Sequence, residues 1–358
     1  MKKSILISLL LGCFLTFSVN AGNSHEIEVK RAFELRMSGK VDEARALLEQ
    51  VLAKDSTCAM AHYEMARIKQ YMLVGGGGTT IDEILASAGK AQKYDPANVT
   101  YAYYKAISDF LNAFISMQMG GEDVKKQITE TALQFEKVLA LKPDYCEPML
   151  YLVEIYGLLP PEMSGDSLKA TFYAKKLSAI DSYFGARAKA VLASKDTDLV
   201  KFWNDYILKN GRSSDYLMEA GKACLLINNP EKAEKYFDEA IKTDPSKNIL
   251  ILDMARYHIM KVMQNKDLAA VELPIARKYI EKYLTTTPEP VIPLKAYAKG
   301  LLTKIEMFMG NKEEADKLMA ESKSLDKYFS KASGIPSLLL FDPPDKISHH
   351  YFSFFNMY

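Results

Sequence analysis

Cysteine is scarce in this chain, charge of one sign is absent, and no apolar run is long enough to span a membrane. Four cysteines occur in 358 residues. Beyond the N-terminal leader only Cys58, Cys146 and Cys224 remain. An odd, sparse set is no disulfide framework, and without CxxC pairs it is no zinc or redox site. Lys and Arg total 46 against 45 Asp and Glu, a net charge of +1. Such balance supplies no field to gather nucleic acid or an anionic membrane. Catalytic motifs are missing as well. The histidines are His25, His62, His258, His349 and His350, with no HExxH and no pair at metal-ligand spacing. No GxSxG elbow is present. Gly75 to Gly78 lacks the Lys-Ser/Thr of a phosphate loop and follows no strand. It reads as a flexible turn, as does Gly120-Gly121. Asp82-Glu83, Glu122-Asp123 and Glu313-Glu314 all fall at expected helix starts, where they favour the positive end of the helix dipole. Neither an enzyme nor a cofactor is indicated.

The first 21 residues form a separate object. Lys2 and Lys3 precede an apolar run from Ile5 to Phe17, and Val19-Asn20-Ala21 offers small residues for a cut. This is a secretory leader pattern, with cleavage expected after Ala21. A rival processing site is Leu10-Leu11-Gly12-Cys13, which has the form of a lipobox and would lipidate Cys13. Both routes export the protein, to the periplasm or the cell envelope. With a bacterial-type leader, the Asn98-Val99-Thr100 sequon carries no expectation of glycosylation.

What the sequence has in quantity is helical grammar, repeated. Tyr216 to Pro245 reads YLMEAGKACLLINNPEKAEKYFDEAIKTDP. Gly221 lies midway along a first helix, Asn228-Asn229-Pro230 makes a turn, Ala233 and Ala240 follow, and Pro245 closes the unit. Small residues at these positions suit helices that cross too closely for a larger side chain. Asn229 before Pro230 is a helix start, since Asn caps free amides and Pro is tolerated at the first position. The pattern returns at Gly39–Ser56 with Ala44 and Val51, and at Gly310–Asp326 with Ala315. It returns again at Leu273–Pro288 with Ala276 and at Ser167–Asp181 with Ala170. Gly89–Pro96 and Phe135–Pro143 are the ends of two more second helices, and 186–210 holds a weaker hairpin. Insertions lengthen some turns, at Gly75–Thr80, Gly120–Asp123 and Pro160–Asp166. Thr80 and Glu83 read as a capping box.

These units resemble the tetratricopeptide repeat, a helical hairpin that stacks on its neighbours. The resemblance implies an all-α α-solenoid, a right-handed superhelix of about eight antiparallel hairpins over residues 22–329. It implies no catalysis. First helices line the concave groove of such arrays, so matching positions become candidate partner contacts. These are Tyr63, Arg67 and Tyr71 in the second hairpin and Tyr103, Ile107 and Phe110 in the third. Met218, Lys222 and Leu225 follow in the sixth, Leu252 and Arg256 in the seventh. The basic clamp that some members use for a peptide carboxylate is not repeated, and Lys222 and Arg256 stand alone in the linear sequence.

From about Ser330 the grammar breaks. The tail 330–358 carries Leu338-Leu339-Leu340-Phe341, Pro343-Pro344 and an aromatic stretch from His349 to Phe355. A solenoid needs its last hydrophobic face covered, so this segment is expected to cap the array, or else to dock on a partner. The functional expectation is an exported scaffold that holds a peptide or protein partner in its groove, without nucleic acid, metal or cofactor. The alternative is a small-molecule-binding accessory protein of a solute transporter, with a cavity in the helical array.

Overall fold

The computed structural model describes the backbone of residues 15–329 and the side chains of 25–329. The expected leader start, Cys13, and the tail 330–358 lie outside the described residues. Sixteen α-helices follow one another, and no strand occurs among the described residues. The first hairpin pairs α1 (Leu15–Met37) with α2 (Val41–Lys54), and the second α3 (Ala59–Val74) with α4 (Ile81–Tyr94). Then come α5 (Val99–Met119) with α6 (Val124–Leu141), and α7 (Cys146–Leu158) with α8 (Ser167–Ile180). The fifth pair is α9 (Ser182–Val191) and α10 (Leu199–Asn210), the sixth α11 (Ser214–Leu226) and α12 (Pro230–Thr243). The last two are α13 (Leu250–Gln264) with α14 (Ala269–Leu284), and α15 (Ile292–Phe308) with α16 (Lys312–Leu325). The fifth pair is the degenerate one. Its α9 packs on α7 and α8, its α10 packs on α11, and the two barely meet. No described helix is long and apolar enough to cross a membrane.

The helix starts follow from local chemistry. Thr80 Oγ1 accepts from the Glu83 amide at 3.3 Å, and Glu83 Oε2 accepts from the Thr80 amide at 3.0 Å. Both halves of the capping box are therefore made, which satisfies two otherwise orphaned donors. Asn229 Oδ1 takes the Lys232 amide at 3.1 Å with Pro230 at the first helical position. Asn98 Oδ1 takes the amides of Thr100 and Tyr101, so the sequon asparagine is a helix cap. Glu122 and Asp123 sit just before α6 instead of in its first turn, and Asp123 makes no side-chain cap.

Burial separates the two helices of each hairpin. Eleven of the 16 residues of α3 are buried, against three of 14 in α12. A helix covered nearly all round is interior, and one with a single apolar stripe faces solvent. The odd-numbered helices therefore form the inner layer and the even-numbered ones the outer. Direct packing of α1 on α3 and of α7 on α9 agrees, because inner members of a curved stack approach most closely. Small residues mark the crossings. Ala44, Ala233, Ala240 and Ala276 are 0% exposed. A methyl added at Gly221 would stand 2.3 Å from the Phe237 ring. Ala240→Leu or Gly221→Ala is expected to cost roughly 1–3 kcal/mol by overpacking, read as a shift in the denaturant midpoint. An unchanged midpoint in both would show that these crossings have slack.

The two ends of the array meet. One apolar core runs from Ala102 to Met254. The other joins Val29 to Met72 with Ile249 to Phe329, so the first two hairpins share a core with the last two. The short turn after α16 makes the junction. Phe329 is 0% exposed and packs on Tyr71 of α3, with ring centroids 4.3 Å apart and the rings tilted by 39°. Tyr71 donates its hydroxyl to Asp326, whose other carboxylate oxygen accepts the amides of Tyr328 and Phe329 at 2.8 and 2.9 Å. Tyr328 donates to Asp42 at the start of α2 at 2.8 Å, and Lys327 pairs with the same carboxylate.

This junction corrects the reading of Gly75–Gly78 as a merely flexible turn. A Cβ at Gly75 would lie 2.6 Å from the Tyr328 Cβ, and one at Gly77 2.5 Å from the Tyr328 ring. The glycines are a seat cut for an aromatic side chain that arrives from the far end of the chain. Residues 326–329 thereby cover part of the terminal faces, and the tail expected to cap the array lies outside the described residues.

Candidate functional site

Of the proposed groove residues, Tyr63, Arg67, Tyr71, Tyr103, Phe110, Met218 and Leu252 are buried. Tyr63 packs on Tyr101 and Tyr104 of α5, each with centroids at 5.2 Å. Tyr103 lies against Tyr145 at 5.0 Å and Phe110 against Tyr151 at 5.0 Å. Their burial has a physical cause. An inner helix is flanked by its own hairpin partner and by both neighbouring hairpins, and large aromatics fill those gaps. Ile107, Lys222, Leu225 and Arg256 are half-buried, so they are the accessible part of the expected set.

The inner helices also carry charged partners of these cations that the sequence reading passed over. Arg36 is 0% exposed and donates Nε to Glu64 Oε1 at 2.6 Å. Arg67 approaches the other Glu64 oxygen at 3.5 Å. The Phe33 ring is shared by both cations, with guanidinium carbons 5.2 and 5.7 Å from its centroid. Farther along, Glu219 is faced by Arg187 at 3.6 Å and Lys222 at 3.7 Å, and accepts from the Tyr183 hydroxyl at 2.9 Å. Arg256 pairs with Asp253 at 3.2 Å.

The environments of these carboxylates differ. Burial pushes Glu219 up, but Lys222, Arg187 and the Tyr183 hydroxyl together outweigh it and hold the group below the usual carboxylate range. At Asp253 burial wins over Arg256 and Lys222, and the carboxyl is raised. Lys222 acts on both carboxylates, so Lys222 and Arg256, solitary in sequence, belong to one charged row.

That row has a sequence signature. Glu64-Met65-Ala66-Arg67, Glu219-Ala220-Gly221-Lys222 and Asp253-Met254-Ala255-Arg256 share one form: acid, any residue, small residue, base. The small residue lets a neighbouring helix approach, and the acid and base stand one turn apart on the same face. Repetition of this motif in three hairpins was the available signal.

The inner helix α5 carries a partly covered apolar stretch. Only six of its 21 residues are buried. Ile107, Leu111, Phe114, Ile115 and Met117 are half-buried. A narrow apolar cleft lined by Phe114, Met117, Ile128, Ile155 and Leu159 opens beside it, with about 20 Å³ of free space. A larger cleft of about 440 Å³ lies between α14, α15 and α16, lined by Pro274, Arg277, Glu306, Met309, Asn311 and Glu314. Glu306 is 1% exposed, pairs with Arg277 and accepts from Asn311 Nδ2 at 2.8 Å.

The remaining polar groups serve the fold. His62 bonds the Ser56 carbonyl at 2.9 Å and stacks on Tyr94, and His258 meets Glu272 at 2.5 Å. His349 and His350 lie outside the described residues. Among the described residues no group of three or more His, Cys, Asp or Glu could hold a metal ion. Burial pushes all three thiols up, that of Cys146 to about 12, which disfavours the reactive thiolate.

No family model matches the chain, and no curated protein does. Solved structures with a similar arrangement include a thermophilic TPR protein of Thermus thermophilus, 14% identical, covering 65% of this chain and 98% of that one, TM-score 0.40. A tetratricopeptide repeat protein of Parabacteroides merdae is 15% identical and covers 88% of this chain and 96% of its own, TM-score 0.35. A human IFIT1 dimer with PPP-AAAA is 16% identical, covering 86% of this chain and 70% of that one, TM-score 0.39. By its own paired helices, inner and outer layers and small-residue crossings, the chain is an all-α array of tetratricopeptide-type hairpins.

Proposed function

We propose that this protein is an exported scaffold of the bacterial cell envelope, periplasmic or anchored there, which holds a peptide or protein segment against its inner helices. The observation that carries the reading is the half-buried Glu219/Lys222 and Asp253/Arg256 pairs on the inner helices of successive hairpins, the matching Glu64/Arg67 pair of α3 being buried. An extended peptide presents alternating donors and acceptors, which a row of alternating charges can match. Half-buried Leu225, one turn from Lys222 on the same helix, supplies an apolar anchor, and half-buried Ile107 of α5 a second. The scaffold is preformed, so little ordering entropy opposes binding.

The test is capture from an envelope fraction by the mature protein and by a Lys222→Met/Arg256→Met variant, with circular dichroism confirming the fold of both. The double variant is expected to retain at least tenfold less of the captured partner, since each charge lost from a desolvated pair is worth about 1.5 kcal/mol or more. Equal retention would remove the inner face from the binding surface. The cleft of about 440 Å³ at Arg277 and Glu306 favours a second reading, a small polar ligand. Its volume lies in the range of small-molecule sites. A ligand-dependent rise in melting temperature, lost in Arg277→Met, would bring that reading forward.

A further inference from the structure

One edge of the array carries an exposed apolar side chain at every inner helix from α5 to α15. The inner helices run parallel, so their C-terminal ends share one side. Contacts between neighbours fix the alignment. Tyr103 and Phe110 of α5 meet Tyr145 and Tyr151 of α7, and Tyr183 and Arg187 of α9 meet Tyr216 and Glu219 of α11. The turn after α11 meets α13, where Asn228 accepts from the Tyr257 hydroxyl. Within one turn of these ends stand Met119, Leu158, Leu192, Ile227, Met263 and Met307, all exposed. Met119, Met263 and Met307 are 81, 79 and 66% exposed, against 37–43% for Tyr94, Leu141 and Ile180 at the opposite edge. At α1 and α3 the matching residues, Met37, Leu73 and Val74, are half-buried. There the edge is already covered by this chain itself: a Cβ at Gly39 would meet the Leu325 carbonyl, and Gly75 and Gly77 seat Tyr328.

We infer that this edge joins two copies of the chain about a two-fold axis. Three observations select a second copy as the occupant. The same edge, one hairpin earlier, is the surface that takes the last hairpin, so the proposed contact continues one the fold already makes. The charge beside the apolar residues is of both signs: Lys195 with Asp196, Glu231 with Lys232, Lys266 with Asp267, and Lys312 with Glu313. A rim without surplus charge does not repel its own copy, and it has no excess of lysine to draw in an anionic membrane. The size also suffices. Six neighbouring helices about 8–10 Å apart give an edge about 45 Å long, and two helix layers make it roughly 20 Å deep. That is about 900 Å², against about 800 Å² per partner in a stable complex. A helical edge turned over by a two-fold axis keeps its hand and slope, so two such edges fit along their length. The contact does not depend on what the inner face holds.

The experiment is sedimentation equilibrium of the mature protein between about 1 and 100 μM, the weak end of the range for an interface of this size. A monomer–dimer equilibrium is expected. Ile227→Glu/Met263→Glu should raise its Kd at least about a hundredfold at unchanged helix content, because the two-fold brings each new carboxylate into the contact twice. Leu133→Glu/Leu208→Glu is the control, since both leucines are exposed but lie on outer helices away from this edge. It should leave the Kd unchanged. Hydrogen exchange in the unmodified protein gives a readout that needs no variant. The peptides that hold Ile227 and Met263 should exchange more slowly at the higher concentration. A monomer throughout, an open series of larger species, equal weakening by both double variants, or exchange independent of concentration would each overturn the inference. So would a monomer that sediments with phosphatidylcholine vesicles and loses them in Ile227→Glu/Met263→Glu, which would make lipid the occupant of the edge.

Discussion

Phe329→Ala is expected to remove about 3–5 kcal/mol of stability and to change the way the array unfolds. The size of the loss follows from deletion of a fully buried ring that leaves a cavity against Tyr71. The change of behaviour follows from topology. An open stack of hairpins has nearest-neighbour contacts only, and its ends fray independently. Here the first and last hairpins share a core, so each end is also a neighbour. Urea unfolding followed both by circular dichroism and by limited proteolysis near Gly39 should show one coincident transition for the parent. In Phe329→Ala the proteolytic transition should precede the spectroscopic one. Phe237→Ala serves as the control, since Phe237 is 2% exposed but lies within the sixth hairpin. It should destabilise by a similar amount without uncoupling the ends. A loss below about 1 kcal/mol for Phe329→Ala, or coincident transitions, would mean that the junction contributes little.

Glu64→Ala should be comparably costly, for an electrostatic reason. Glu64 is 3% exposed and lies between Arg36, at 0%, and Arg67, at 4%. Removing the carboxylate leaves two buried guanidinium groups beside one another, and breaking a buried pair in this way costs about 3–5 kcal/mol. Arg67→Met leaves the Arg36–Glu64 pair intact at 2.6 Å and should cost markedly less. Chemical denaturation of both variants decides the matter. If Arg67→Met were the more damaging of the two, Glu64 would not be the centre of the cluster.

The inner charges illustrate how much of the site was legible. Glu64, Glu219 and Asp253 occupy helices that otherwise read as core, and each precedes a basic residue by three positions. The spacing alone predicts paired charges on one face, so the row was available to a reader who aligned the hairpins on their small residues. Which face of each helix stays accessible was not available. Tyr63, Tyr103 and Phe110 have the spacing of groove residues, yet each packs against the next hairpin. Accessibility depends on how far successive hairpins rotate and approach, a collective property that no single helix encodes.

By itself the sequence determined the hairpins. Asn229-Pro230 and Thr80 with Glu83 start helices, Gly221 and Ala240 permit close crossings, and the apolar period of each segment selects its buried stripe. These are local effects, decided within one or two turns of helix or between adjacent segments. Only the tertiary structure decided that Tyr328 fills the seat made by Gly75 and Gly77, and that Asp326 receives the Tyr71 hydroxyl. Those partners lie some 250 residues apart, as the Tyr71–Asp326 separation of 255 shows. Their meeting depends on the small turn added by every hairpin between them, and the sum of those turns brings the last hairpin back to the first.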